Sequence, residues 1–395
     1  MKLLLYSHFF PPNVGGTETI VLALARGLAG YQLAGNRNAF DVTAVTETPA
    51  GDYSDAGLPF RVVCRPSIFQ LRRLIHAADL VHIAGAALAP MLLGLWLNKP
   101  VIVEHHGYQA ICPTGMLLKL PELSVCPGYF RQRKYAKCLQ CLSQESGWLR
   151  AWPRLLWQFP RFSLARRVAG NIAVSHHEEQ RIDLPLTSVI YHGIATAPPA
   201  DNAQAPVPSP SSQQVHFAFL GRLVAGKGAL ILVAAAKILR EQRRDFFISI
   251  IGDGPERPRV EQAIQAAELR DYVRVLGFLR GEELTSALAP IHAIVMPSIW
   301  EETAGLSAIE NMLRGRVVIA SAIGGLQEMT GDAALLAEPG NPVSLAEAMS
   351  KVIQNPALLA SYGQKARDRA TQLFQLRSMV EAHARLYEKV LTRTA

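Results

Sequence analysis

Pro297-Ser298-Ile299-Trp300-Glu301-Glu302-Thr303-Ala304-Gly305-Leu306-Ser307-Ala308-Ile309-Glu310 joins a short apolar run, Ala293–Met296, to a segment of helical periodicity, Leu306–Leu313. The run is strand-like, so the stretch is a strand-to-helix turn. Gly305 and small neighbours at a helix start let backbone amides approach an anionic or sugar oxygen, and the helix dipole favours negative charge there. Glu302 precedes the helix and Glu310 lies more than one turn inside it. Two such carboxylates suit hydroxyls at opposite ends of one ligand; an acidic cap with an exposed Glu310 fits the same spacing.

Outward from this turn the pattern repeats. Val/Ile/Leu-rich runs alternate with amphipathic segments, the mark of parallel sheets wrapped by helices. The first half has strand candidates at Lys2–Tyr6, Asp41–Thr46, Leu80–Ile83, Pro100–Glu104, Asn171–Val174 and Ser188–Tyr191. The second has them at Val215–Leu220, Phe246–Ile251, Val273–Leu276, Ala293–Met296 and Val317–Ala320. Residues 196–213, with Pro198, Pro199, Pro206, Pro208 and Pro210, read as an interdomain linker. The expectation is an α/β protein of two Rossmann-like domains facing across a cleft: 1–195, carrying a cysteine-rich insert at 108–145, and 214–374. A last helix within 375–395 is expected to pack back on the first domain.

At 395 residues the chain has room for two cores. With 49% hydrophobic and 18% charged residues it is globular. The balance of 40 basic to 32 acidic side chains, +8, favours an anionic partner without choosing among nucleic acid, lipid head groups and phosphorylated substrates. The longest strongly apolar run, Ile83–Leu97, is broken by Pro90 and is short of the ~20 residues a membrane span needs. His8, Pro11 and Pro12 interrupt the apolar start, so it reads as a buried strand and the chain as cytoplasmic.

Three further motifs stand in order along the chain. Pro11-Pro12-Asn13-Val14-Gly15-Gly16 follows the first strand. Gly221-Arg222-Leu223-Val224-Ala225-Gly226-Lys227-Gly228 follows the first strand of the second half, and Gly252-Asp253-Gly254-Pro255 follows the next. Together with Glu302–Glu310 and Ala320–Glu328 they resemble the glycine-rich loop, the G-R-x4-K-G motif, the G-x-G-P turn and the E-x7-E region of family 4 glycosyltransferases. The glycine loop lacks G-x-G-x-x-G, which disfavours nicotinamide dinucleotides.

The resemblance implies a GT-B fold and a retaining transfer from a nucleotide-sugar donor (UDP- or GDP-sugar) with no catalytic metal. It implies that Arg222 and Lys227 neutralise the donor diphosphate, work a metal ion does elsewhere. Glu310 would hold the ribose hydroxyls and Glu302 would lie against the donor sugar. Amides around Ala304, Gly305 and Leu306 would contact sugar and phosphate, with the base read by backbone near Gly277–Leu279. Gly15 and Gly16 would allow close backbone approach of donor and acceptor. His105-His106-Gly107 ends the strand Pro100–Glu104, and the family histidine facing the donor sugar falls on His106. The chain departs from the family at Ala304, where an aromatic residue is common, at Asn311, where Ala is usual, and at His192-Gly193, which replaces Asn-Gly. These changes bear on the identity of the donor sugar.

Cys112, Cys126, Cys138 and Cys141 are separated by 13, 11 and 2 residues. Four thiolates suit a structural zinc or an iron–sulfur cluster; buried or disulfide-paired cysteines fit as well. A subset of the family resembles this chain in carrying such an insert. From Arg131 to Arg167 nine basic residues face one acid, Glu145, interleaved with Trp148, Trp152 and Trp157. This fits an anionic membrane surface with Trp at head-group level, and a saccharide or lipid-linked acceptor. Tryptophans buried under arginine stems fit equally. No reader motif for nucleic acid is present, so none is expected as a partner. The localisation that follows is cytoplasmic, peripheral to the inner face of the membrane if that surface is used.

Overall fold

A computed structural model of the chain describes residues 1–13, 15–33, 37–50, 57–195, 214–242 and 245–394. The expected linker at 196–213 and Val14 of the glycine loop lie outside the described residues. The chain divides into two compact units. The first comprises Met1–Pro121, Cys126–Ala195 and Phe374–Ala395; the second comprises Glu122–Val125 and Thr196–Leu373.

The first unit is built on a parallel sheet of β1 (Lys2–Ser7), β2 (Asp41–Thr46), β3 (Arg61–Cys64), β4 (Leu80–Ala84), β5 (Val101–Glu104), β6 (Gly170–Ala173) and β7 (Thr187–Val189), in the order β7-β6-β5-β4-β1-β2-β3. Central strands β4 and β5 are buried along their whole length. That is why they read as near-continuous apolar runs and not as an alternation. Two polar residues interrupt them: His82 and Glu104, both 0% exposed.

Helix α1 (Gly16–Ala29) follows β1, with Ile20, Val21, Leu24 and Leu28 buried on one stripe. Further along come α2 (Leu88–Trp96), α3 (Tyr135–Ser146) and α4 (Trp148–Ala165). The unit is completed from the far end of the chain. Residues Phe374–Ala395 belong to it, and their helix buries Met379, Val380, His383, Ala384, Tyr387 and Val390. A Cβ on Gly27 of α1 would stand 2.3 Å from Val380 Cγ2, so glycine sets the close approach of these two helices.

The second unit has a parallel sheet of β8 (Val215–Leu220), β9 (Phe246–Ile251), β10 (Val273–Gly277), β11 (Ala293–Met296), β12 (Val317–Ser321) and β13 (Ala334–Ala337), in the order β10-β9-β8-β11-β12-β13. Its core gathers Phe217, Phe219, Ile248, Ile250, Val295 and Ile319 from the sheet and Leu232, Ala236 and Leu239 from α5 (Ala229–Gln242). Helix α6 (Leu306–Leu313) follows β11, and α7 (Leu376–Thr394) is the helix returned to the first unit. Strands β3 and β13 were not anticipated. Arg61–Cys64 is short and at a sheet edge, and Ala334–Ala337 lacks the β-branched residues that mark a strand.

Gly193 shows what the close return of the last segment demands. Ile194 bridges to Gln375, and a Cβ on Gly193 would lie 2.5 Å from Gln375 O and 2.6 Å from Leu376 Cα. Backbone atoms cannot swing aside as a flexible side chain can. Gly193→Ala is therefore expected to lower the melting temperature by the equivalent of about 1–3 kcal/mol. Gly30→Ala, whose nearest new neighbour is at 3.5 Å, serves as the control in the same thermal melt and is expected to change little.

Candidate functional site

In an open parallel sheet, ligands bind outside the carboxyl ends of the strands where strand order reverses. Each unit has one such point. In the second it lies between β8 and β11, and in the first between β1 and β4.

At the reversal of the second sheet, the loop after β8 carries Arg222 and Lys227, and the loop after β11 carries Glu302. Lys227 Nζ lies 3.0 Å from Glu302 Oε1, with the two side chains 25% and 5% exposed. The Ser298 hydroxyl donates to the same carboxylate oxygen. Lys227 also stands over the Trp300 ring at 5.6 Å, and Ile299 N donates to Gly226 O at 2.9 Å. The two loops are thus locked together. Gly228 has φ +72, and a Cβ there would fall 1.9 Å from Pro297 O, so only glycine permits the approach. Arg222 is exposed at the same strand end.

Gly305, at φ +78, caps α6 at its N-terminus, and Ala304 is buried. Leu306 is the first helical residue. Glu310 is half-buried, and burial raises its carboxyl pKa, with Arg314 pulling the other way. The exposed alternative for Glu310 is therefore not what the structure shows. Asn311 is fully buried, donates to Ser307 O at 2.8 Å and accepts from Arg316 at 3.2 Å. Asn311 therefore braces the helix from inside the core. Arg222, Lys227, Glu302, Ala304, Gly305, Leu306 and Glu310 all fall in the β8 loop, the β11 loop and α6.

In the first unit a cavity of about 1230 Å³ opens at the reversal. Ser7 and Phe9 line it from the end of β1, Ala84–Ala87 from the end of β4, and His106 from the end of β5. Leu88, Leu92, Trp157 and Leu164 give it apolar walls, and Arg154, Arg161 and Arg167 give it positive charge. Thr17, next to Gly16, also lines it, which puts the glycine loop at the cavity's edge. Gly15 is extended, at φ −170, and is the N-cap of α1. Arg161 is held by Ala86 O at 3.1 Å and Gln158 Oε1 at 3.1 Å, and burial lowers its pKa.

Burial pushes the His106 pKa down to about 3, against the pull of Glu104. Beneath it lies a set of residues of which the sequence motifs mark His106 and His192 but not Glu104, His82 or His383 as site candidates. Glu104 faces His82 at 3.0 Å, His383 at 3.5 Å, His192 at 3.7 Å and His106 at 3.9 Å. The signal was present as polar residues in otherwise apolar central strands. Val174 N donates to the buried Glu178 at 2.8 Å, whose carboxyl pKa is raised by burial.

Trp148, Trp152 and Trp157 on α4 are 59%, 55% and 60% exposed, and Leu149 and Leu156 are exposed beside them. The alternative of tryptophans buried under arginine stems is not realised. Cys112, Cys126 and Cys138 are buried, Cys141 is partly so, and all four are free thiols. Burial, then Cys112, Cys126 and Cys141, push the Cys138 thiol up to about 12. The four therefore share one region. Among the described residues, however, the sets of three ligand atoms lying within 4.8 Å of one another are histidine–glutamate sets. No described helix is long and apolar enough to cross a membrane.

Residues 202–369 match the family model described as glycosyl transferases group 1. The fold is GT-B. A crystal structure of Anabaena Alr3699/HepE in complex with UDP superposes with TM-score 0.73 at 18% identity, covering 98% of this chain and 100% of that one. Sucrose-phosphate synthase from Thermosynechococcus elongatus superposes with TM-score 0.72 at 21% identity, over 99% of both chains. In sequence, 2-deoxystreptamine glucosyltransferase of Streptomyces kanamyceticus is 34% identical over 175 residues, which is 44% of this chain and 45% of the relative. Glycogen synthase of Mycobacterium tuberculosis (strain CDC 1551 / Oshkosh) is 30% identical over 203 residues, 51% of this chain and 48% of the relative. The matches span about half the length of these curated relatives.

Removing Lys227 would leave the Glu302 carboxylate desolvated without its cation. Lys227→Ala is expected to destabilise the fold by about 2 kcal/mol, less than the ~3–5 of a fully buried pair because Lys227 is partly solvated. The double variant Lys227→Met/Glu302→Gln should recover most of that loss in a urea unfolding titration.

Proposed function

We propose that this chain is a glycosyltransferase that moves a sugar from a nucleoside-diphosphate sugar to a hydroxyl acceptor with retention of configuration. The observation that carries the reading is the Lys227–Glu302 pair, placed at the strand-order reversal directly before the Gly305 cap and Glu310. In this reading Arg222 and Lys227 neutralise the diphosphate as it leaves, and the α6 amides at Gly305 and Leu306 add the helix dipole. Glu310 accepts from the ribose hydroxyls, Glu302 lies against the sugar, and His106 takes the part of the family histidine toward the donor sugar. The bond from the anomeric carbon to phosphate oxygen breaks, and the bond to acceptor oxygen forms on the same face. The acceptor proton passes to the leaving phosphate. Because Arg222, Lys227 and the helix amides carry the counter-charge, the reading needs no catalytic metal.

The cavity of the first unit supports an amphipathic acceptor, a saccharide on a lipid carrier. Its apolar walls suit a hydrocarbon chain and its arginines suit a phosphate. The exposed tryptophans of α4 beside Arg150, Arg166 and Arg167 suit an anionic lipid surface on the inner face of the membrane. The four cysteines are proposed to staple the insert through a structural metal.

Thermal shift with UDP, GDP and ADP tests the donor side. Ligand at 100 times its dissociation constant adds roughly 2.7 kcal/mol of stability. One diphosphate should stabilise the wild type and much less Arg222→Ala or Glu310→Ala; no shift with any of the three would sink the reading in favour of a metal or redox protein built on the four cysteines. Affinity should fall on acidification at a higher pH than the ordinary carboxylate value of 4.5, because only ionised Glu310 accepts from both hydroxyls. Glu310→Gln should flatten that dependence.

On the acceptor side, cosedimentation with vesicles is expected to favour anionic over neutral lipid, and Trp152→Ala/Trp157→Ala to weaken it about tenfold or more, each interfacial tryptophan burying a large apolar surface. Equal binding to both vesicles would remove the membrane part alone.

A further inference from the structure

The C-terminal helix α7 brings His383 and Tyr387, four residues apart on one helical face, against the two polar residues of the central strands. His82, Glu104, His383 and Tyr387 are all 0% exposed. His82 Nε2 faces Glu104 Oε2 at 3.0 Å and His383 Nε2 faces the same oxygen at 3.5 Å. The outer nitrogens are both held: His82 Nδ1 by the Tyr387 hydroxyl at 2.8 Å, His383 Nδ1 by Met379 O at 2.8 Å.

The second of these contacts fixes the chemistry. A carbonyl oxygen only accepts, so the proton of neutral His383 sits on Nδ1. In that tautomer Nε2 turns a lone pair toward a buried carboxylate oxygen at 3.5 Å, and neither Nε2 nor Glu104 Oε1 makes a hydrogen bond of ordinary geometry. Two electron-rich atoms so placed need a cation between them. A hydrogen bond would draw them to about 2.7–3.2 Å, as it does His82 and Glu104 at 3.0 Å, whereas His383 stands farther off at 3.5 Å. A tetrahedral zinc with bonds of ~2.0–2.1 Å instead sets its ligands roughly 3.3 Å apart. The observed 3.0 and 3.5 Å bracket the second value. The ligand atoms of His82, Glu104 and His383 all lie within 4.8 Å of one another. Histidines whose outer nitrogen donates to a fixed acceptor are also the usual outer shell of a metal site.

We propose that His82, Glu104 and His383 bind one divalent transition-metal ion of the zinc type, with Glu104 attached through both carboxylate oxygens. The site is closed and buried, so its work is to fasten α7 to β4 and β5 of the same unit. It stands independently of the glycosyl-transfer reading, and it is distinct from the cysteine cluster.

Metal content of the full chain tests it, measured after exhaustive dialysis and reloading with Zn²⁺ or Co²⁺. To exclude the thiols, the protein carries Cys138→Ser and Cys141→Ser. One equivalent should remain, with a visible Co²⁺ band free of thiolate charge transfer. His383→Gln should lose that equivalent. Tyr387→Phe should keep the fold and weaken the affinity about 10–100-fold. If the serine background does not fold, the same one-equivalent difference is read between wild type and His383→Gln; if His383→Gln does not fold, Tyr387→Phe decides. Folded protein that takes up neither ion, or an equivalent unchanged by both variants, overturns the proposal.

Discussion

A parallel sheet forces every connection to return its chain to the same end, and that constraint organises both units. The returning helices cover the two faces, so strands are buried on both sides and only their ends are free to do chemistry. Where the order of strands turns back on itself, the two diverging loops leave a gap that no helix fills. In the second unit the gap falls between the loops that carry Arg222, Lys227 and Glu302; in the first it is the cavity with Ser7, Ala84 and His106 on its walls. Gly228 follows from the same geometry, standing where the loop after β8 must nearly touch the loop after β11.

The sheet was largely legible because buried parallel strands are written in the sequence as apolar runs. Asp41–Thr46, Val215–Leu220, Phe246–Ile251 and Ala293–Met296 have the bounds that their composition predicts. Arg61–Cys64 escaped because an edge strand needs little apolar surface. Ala334–Ala337 escaped because alanine and leucine serve helices as readily as strands. Nothing local in either stretch outweighed the tertiary pairing that makes it a strand.

The site was legible in its members and not in its contacts. Lys227 and Glu302 each stood out by motif, but no spacing rule joins residues so far apart in sequence into one ion pair. Likewise His82 and Glu104 sit in strands whose neighbours disguise them, and His383 and Tyr387 sit in a helix that looks ordinary. Their convergence is a product of topology: β4, β5 and α7 meet only after the chain has passed through the whole second unit.

That last passage bears on synthesis. Apart from Glu122–Val125, the second unit occupies one stretch of the chain, whereas the first is complete only with Phe374–Ala395. On a ribosome, β4 and β5 would emerge with His82 and Glu104 still lacking Tyr387 and His383 and wait for a helix that begins about 270 residues after Glu104, about tens of seconds at ~5–20 residues per second. The inserted unit can be finished by then. A nascent chain stalled short of Leu376 would thus hold a second unit whose residues are all made and a first unit whose helix-docking face, with His82 and Glu104, is open, a natural target for a chaperone.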